Sequence, residues 1–229
     1  KYDWGTNYYY YLAGKYKIHP TFIQSILADL KLEPFEILST IKNLNAYGAQ
    51  TYNKNLIEVG KKIYHGKTKG NWAPNQKIKG KDVLIIGAGP SSTHHVDAIE
   101  KFILKNKPFV IGLNYQKTIQ EKLIDIRVAC HTLRLTSDIK MFKKITQPLV
   151  LPLERLSSLQ KKKFGKLKIL NYGLQVKPGE FQFKNNYSIA PNSLTIVYAL
   201  CIANSGNAKN IFVTGLDGYP VDDPRRYEM

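Results

Sequence analysis

Lys81-Asp82-Val83-Leu84-Ile85-Ile86-Gly87-Ala88-Gly89-Pro90-Ser91-Ser92 is the stretch on which the reading of this chain turns. Val83 to Ile86 form a short, unbroken apolar run, the pattern of a strand covered on both faces. The turn that follows holds two glycines, then a proline suited to the first turn of a helix and a serine that can cap it or donate to a phosphate. A helix opening directly after a strand presents unpaired N–H groups and a positive dipole end to whatever lies beyond that strand. The glycines let the backbone turn tightly and come close to a ligand. Gly87, Gly89 and Ser91 are therefore the first candidate ligand-binding residues.

Downstream, apolar strand patterns alternate with helical ones. A helix is expected from about Ser92 to Lys105 and a strand at Phe109–Leu113. Further strands are expected at Ile126–Ala129, Leu149–Leu151 and Ile211–Thr214, with helices near Ile119–Leu123, Asp138–Lys144, Glu154–Lys162 and Ser193–Asn204. Strands separated by helices imply an α/β domain, Rossmann-like, with a mostly parallel sheet and helices on both faces. Ligands of such sheets bind at the carboxyl ends of the strands. Asn114, ending the second strand, and Asp217, following the last one, join the candidates on that ground. His131, just past the third strand, is the histidine best placed for the same cleft.

The sequence ahead of this domain is different in kind. Residues 1–64 read as a small helical segment. Pro20 precedes a stripe of Phe22, Ile23, Ile26, Leu27 and Leu30; Pro34 precedes Phe35, Ile37, Leu38, Ile41 and Leu44. Both stripes have helical spacing and need a partner surface, in this chain or in a second copy. Residues 65–81 are Gly-, Lys- and Pro-rich and read as a linker. The nucleotide-binding α/β domain is then residues 82–229. The chain starts without methionine and stops at Arg226-Tyr227-Glu228-Met229, which we read as a piece of a longer protein.

Composition narrows the partners. The net charge is +17, but 29 of the 34 basic residues are lysines scattered along the chain. Sequence-specific nucleic-acid sites favour clustered arginine forks with interleaved aromatics, so a solvated surface drawn to anionic small molecules fits better, with at most peripheral membrane contact. No uninterrupted apolar run reaches the roughly 18 residues a spanning helix requires. Cys130 and Cys201 lie in apolar stretches and read as buried free thiols, which suits a cytoplasmic setting. No Cys–His spacing suggests a metal, and no cofactor is expected for this stretch. A dinucleotide is disfavoured, because Ser92 stands where a third glycine belongs and Asn114 where a ribose-binding acid belongs.

The second half, about residues 81–229, resembles the bacterial sialyltransferases that use CMP-sialic acid. Their Gly-Asn-Gly-Pro-Ser turn is matched by Gly87 to Ser91, and their strand-ending asparagine by Asn114. Their helix-opening Thr-Ser-Gly aligns with Asn192-Ser193-Leu194, and their Ser-Gly-Ile-Asp-Phe-Tyr with Thr214-Gly215-Leu216-Asp217-Gly218-Tyr219. The resemblance implies that Ser193 contacts a nucleotide sugar and that Tyr219 and Tyr227 stabilise a departing CMP phosphate. It departs from the family at Ala88 and Leu194, and the family's histidine base falls beyond Met229.

The first half, about residues 1–64, resembles the tail that follows the TIM barrel in HMG-CoA lyase-like and 4-hydroxy-2-oxovalerate aldolases. Trp4-Gly5, Tyr11-Leu12-Ala13-Gly14 and His19-Pro20-Thr21-Phe22 follow that order. Together the two likenesses imply the C-terminal part of a bifunctional, aldolase-fused bacterial protein of surface-polysaccharide sugar metabolism. A divalent metal would belong to the barrel, outside this chain. Two alternatives remain open: a non-catalytic nucleotide-binding module regulating the aldolase, and an NAD-linked dehydrogenase partner.

Overall fold

The computed structural model describes residues 69–217, apart from 116–117, 132–134, 136–137, 157–160, 163, 166 and 178. The apolar run that opened the sequence argument is β1, Asp82–Ile86, with Val83, Ile85 and Ile86 fully buried. β2 (Phe109–Leu113), β3 (Ile126–Val128), β4 (Leu149–Leu151) and β5 (Ile169–Asn171) follow, and β9 (Asn210–Thr214) closes the set. These strands form one sheet in the order β5-β4-β3-β2-β1-β9. Every pairing in it is parallel, from Val83 beside Phe109 to Ile86 beside Thr214. The expected α/β, Rossmann-like architecture is what the chain adopts.

Helices lie on both faces, as a wholly parallel sheet requires. On one, α3 (Val96–Asn106) packs Ile99 and Ile103 against Leu84, Ile86 and Val110, and α4 (Ile139–Phe142) packs against Leu149 and Leu151. On the other, α5 (Thr195–Ser205) buries Tyr198, Ala199, Cys201 and Ile202 against Val83, Ile85, Ile111 and Val128. Cys130 and Cys201 are buried free thiols. Among the described residues no helix is long and apolar enough to cross a membrane.

Several local expectations change. The helix expected over Ser92–Lys105 is two helices, α2 (Pro90–His94) and α3, divided at His95. The Ile119–Leu123 pattern forms a single 3-10 turn at Glu121–Leu123, and Glu154–Lys162 begins as one at Leu153–Arg155. A second, three-stranded sheet was not anticipated. It consists of β6 (Gly173–Val176), β7 (Gln182–Phe183) and β8 (Tyr187–Ala190), in the order β6-β8-β7, with β7 antiparallel to β8. Tyr172 ties it to α5: its hydroxyl meets Ser205, and its carbonyl accepts a hydrogen bond from the Tyr198 hydroxyl.

The largest correction concerns residues 69–81, expected to be the end of a linker. They fold onto the α/β body. The Gly70 amide donates to the Asn186 carbonyl at 3.0 Å, and the Asn71 and Trp72 amides donate to the Asn171 carbonyl at 2.9 and 3.0 Å. Trp72 packs edge-on against Tyr172, their ring centroids 6.4 Å apart. One helical turn, α1 (Asn75–Ile78), then drops a fully buried Ile78 against Gly206 at the end of α5. A Cβ on Gly206 would stand 2.7 Å from the Ile78 side chain, so the glycine makes the space. Polar composition concealed two apolar anchors six residues apart. If these residues belong to the domain, Ile78→Ala lowers unfolding free energy by about 2–5 kcal/mol, the usual cost of emptying such a site. Denaturant unfolding followed by near-UV circular dichroism checks this; a loss below about 0.5 kcal/mol would return the segment to linker status.

Candidate functional site at the carboxyl edge of the sheet

From β1 the chain steps outward through β2, β3, β4 and β5, and then returns to the far side of β1 as β9. The direction of winding therefore reverses between β1 and β9. A crevice outside the carboxyl ends of the strands at such a switch point is where open α/β sheets bind ligands. Two of the stretches singled out in the sequence meet there: Gly87–Ser91 after β1 and Gly215–Asp217 after β9.

They meet by backbone. The Gly87 amide donates to the Thr214 carbonyl and the Gly89 amide to the Gly215 carbonyl, both at 2.9 Å. A Cβ on Gly87 would lie 2.3 Å from the Gly215 carbonyl oxygen, and one on Gly89 would lie 2.7 Å from it. Gly215 itself sits at φ +70°, with Ser92 packed beneath it. Ser92 is fully buried and its hydroxyl donates back to the Gly89 carbonyl at 2.8 Å. The two glycines are thus needed to let one loop cross the other, whatever else approaches them. Ala88, between them, is the exposed residue of the turn.

Asp217 completes the junction. Its carboxylate accepts the Ser91 amide at 2.7 Å and the Ser91 hydroxyl as well. An acid from the loop after β9 therefore occupies the start of α2, the position the sequence suggested for a phosphate. The bonds from Ser91 hold the Asp217 carboxyl below its ordinary value, with a smaller contribution from nearby His94. The pair is an ionised acceptor at neutral pH.

A second cluster stands two strands further in. Asn114 follows β2 with φ +51°, a left-handed conformation that asparagine tolerates better than most residues. Its amide donates to the Val128 carbonyl at 2.8 Å. Its side-chain oxygen accepts from the Thr195 hydroxyl at 3.4 Å, at the first turn of α5. Cys130, after β3, donates its thiol proton to the Ser193 carbonyl at 3.1 Å and lies 3.9 Å from the Thr195 oxygen. Asn114 and Ser193, far apart in sequence, are thus joined through Thr195 and Cys130. The Leu194 amide is held by the Asn192 side chain at 3.1 Å, which fixes the entry to the helix. Burial pushes the Cys130 thiol up to about 11, so this cysteine is a protonated donor and not a thiolate nucleophile.

Arg127 sets the angle of Asn114, and the sequence reading passed over it. Fully buried on β3, it donates to the Asn114 carbonyl at 3.1 Å and forms a two-pronged pair with Glu121. Its guanidinium also lies 5.6 Å from the Tyr115 ring centre. An arginine in the middle of an apolar strand was the available signal. Thr195 and Cys130 left no comparable trace. His131 is exposed, just beyond Cys130 on the same edge. Tyr219 and Tyr227 lie outside the described residues. Among the described residues no three His, Cys, Asp or Glu side chains gather in a metal-binding group.

No protein-family model matches this chain, and no curated protein matches it. The geometry of the edge therefore carries the functional argument.

Two outcomes follow from the junction. Gly87→Ala is expected to cost about 1–3 kcal/mol by forcing the loops apart; in urea unfolding, a change under about 0.5 kcal/mol would mean the approach is slack. A lowered native pKa stabilises the fold above the unfolded value and loses that contribution as pH falls through the native one. The Ser91 amide resonance, followed by NMR from pH 6 downward, is therefore expected to titrate with a midpoint below the ordinary aspartate value of about 3.9. A midpoint above that value would show the Ser91–Asp217 link to be weak.

Proposed function

We propose that the carboxyl edge of this sheet binds a nucleotide-activated sugar, with a CMP-linked donor as the ligand that the motif resemblance implies. One observation supports this above the rest. Ser91 and Asp217 are joined at the switch point, while Asn114 and Ser193 are joined next to the start of α5, so residues from four separate motifs line one edge. In this reading Asn114, Ser193 and Thr195 hold the nucleotide portion beside the N-terminus of α5. The Ser91–Asp217 pair offers a carboxylate to ribose or sugar hydroxyls, which donate to an acid, whereas a phosphate would be repelled by it. Ala88 and the backbone of Gly87 and Gly89 form the floor between.

Transfer would require a base to deprotonate the acceptor hydroxyl and donors to stabilise the departing phosphate. Tyr219 and Tyr227 are the proposed donors, and His131, just past β3, is the proposed histidine of the same cleft. On this proposal the whole protein couples such a domain to an aldolase barrel in bacterial surface-polysaccharide metabolism. The non-catalytic alternative draws support from Ala88 and Leu194, the two departures from the sialyltransferase pattern. An NAD site draws less, since Ser92 fills the third glycine position and is fully buried.

Titration calorimetry separates these readings. CMP is expected to bind the 229-residue chain, NAD to give no heat, and Asn114→Ala to weaken CMP by roughly tenfold, about 1.4 kcal/mol. NAD binding without any response to cytidine nucleotides would overturn the proposal. In the full-length protein, Tyr219→Phe is expected to slow donor hydrolysis or transfer roughly a hundredfold or more, with little change in CMP affinity. Unchanged turnover in the Tyr219→Phe, Tyr227→Phe and double variants would leave a binding module.

A further inference from the structure

The parallel sheet brings together lysines that lie far apart in the sequence. Its strands all point the same way, so the residues ahead of each strand share one edge, opposite the carboxyl edge that holds the candidate site. Every strand is entered past a lysine: Lys81 ahead of β1, Lys107 of β2, Lys122 of β3, Lys144 of β4, Lys168 of β5 and Lys209 of β9. All of these are exposed, and none is ion-paired with another described residue. The described acids of the same lead-in stretches are both engaged, Glu121 with Arg127 and Asp125 with the Val110 amide. Just beyond the strands the picture differs. The described lysine and arginine there are Lys177, which pairs with Glu180, and Arg155, which is buried. Cations at the ends of α3 and α4 suit the negative end of a helix dipole. Lys81, Lys168 and Lys209 stand outside any helix, so that effect does not account for them.

We infer that this amino edge is a docking face for an anionic membrane surface. At ordinary strand spacing the edge is about 24 Å long. A plane of anionic headgroups attracts lysines cumulatively, within a screening distance of about 8–10 Å at ordinary salt. Leu104, in the last turn of α3, is 62% exposed, more than any other large apolar side chain among the described residues. An exposed apolar group beside lysines suits the headgroup boundary. A nucleic acid fits less well. Arginine forks and stacking aromatics hold nucleic acids, and in the six residues ahead of each strand no described arginine or aromatic side chain is exposed. Docking would orient the domain. With the amino edge on the bilayer, the switch-point crevice opens toward water, roughly 17 Å away at the other end of a five-residue strand. The inference holds whichever ligand the crevice takes.

Co-sedimentation of the whole 229-residue chain with phospholipid vesicles tests this. At about 0.1 M salt, vesicles holding about one third phosphatidylglycerol are expected to bind it roughly tenfold or more tightly than pure phosphatidylcholine vesicles. Raising the salt to about 1 M is expected to release it. Lys79→Gln, Lys107→Gln, Lys144→Gln and Lys168→Gln, combined, are expected to weaken the anionic binding by roughly tenfold or more. Lys69→Gln, Lys101→Gln, Lys177→Gln and Lys184→Gln remove the same charge away from the edge, and are expected to weaken it by less than about threefold. Far-UV circular dichroism checks that each variant is folded. If the first does not fold, Lys107→Gln with Lys144→Gln replaces it, with an expected loss of about threefold. Failure to bind the anionic vesicles, or equal losses in the two sets, would overturn the inference. So would tighter binding of a single-stranded RNA through the same edge lysines, because the edge would then be a nucleic-acid face.

Discussion

The site depends on how closely the loop after β1 can approach the loop after β9. Two amide-to-carbonyl bonds, Gly87 to Thr214 and Gly89 to Gly215, draw the loops together. Any side chain at Gly87 or Gly89 would strike the Gly215 carbonyl first. That contact fixes the position of Asp217, because only Leu216 separates it from Gly215. It also fixes the start of α2, because Ser91 follows Gly89 at the same remove. The Ser91–Asp217 bond is a consequence of the backbone crossing. The rest of the sheet supports the crossing from below: β1 is paired on both sides, and its side chains are buried on both faces.

A comparable logic governs the second cluster, with a charge in place of a glycine crossing. Asn114 must turn through a left-handed conformation to leave β2, and the Arg127 guanidinium holds its carbonyl in that turn. Arg127 is fully buried, so its charge requires a partner, and Glu121 supplies both carboxylate oxygens. Asn114 is then held where it accepts from Thr195, linking the end of β2 to the first turn of α5. Arg127 is a positioning residue: it acts on the edge through Asn114.

Much of this was legible in the sequence because parallel strands are short and wholly apolar. Val83–Ile86, Phe109–Leu113 and Leu149–Leu151 stand out against their polar connections, and each is a strand where the pattern placed it. β6 and β8 were missed for the opposite reason. Gly173-Leu174-Gln175-Val176 and Tyr187-Ser188-Ile189-Ala190 mix polar and apolar residues, and Gln175 and Ser188 are buried against the pattern. The folded stretch 69–81 was hidden because its anchors, Trp72 and Ile78, are single residues among lysines and glycines. At the site, residue types showed which positions face the carboxyl edge, but not which of them bond to one another. That Asp217 would occupy the start of α2 depends on the β1–β9 pairing, which brings together Ser91 and Asp217 from 126 positions apart.

The charge of the chain and the charge of the crevice differ in sign, and the difference bears on ligand orientation. A surplus of 17 positive charges spread over the surface raises the encounter rate with any anion, but it carries no orientation. Orientation is set at short range, where the ionised Asp217 stands at the switch point and the N-terminus of α5 stands beside Asn114. A phosphate settling at α2 would have to displace a carboxylate that already accepts both donors of Ser91. One settling near α5 meets N–H groups and hydroxyl donors. The hydroxyl-bearing part of the ligand is then left facing Asp217. A nucleotide sugar has both chemistries in one molecule, and free inorganic phosphate has only one of them. On the proposed function, the acid at the switch point would favour such a composite ligand over a bare anion, against the overall charge of the protein.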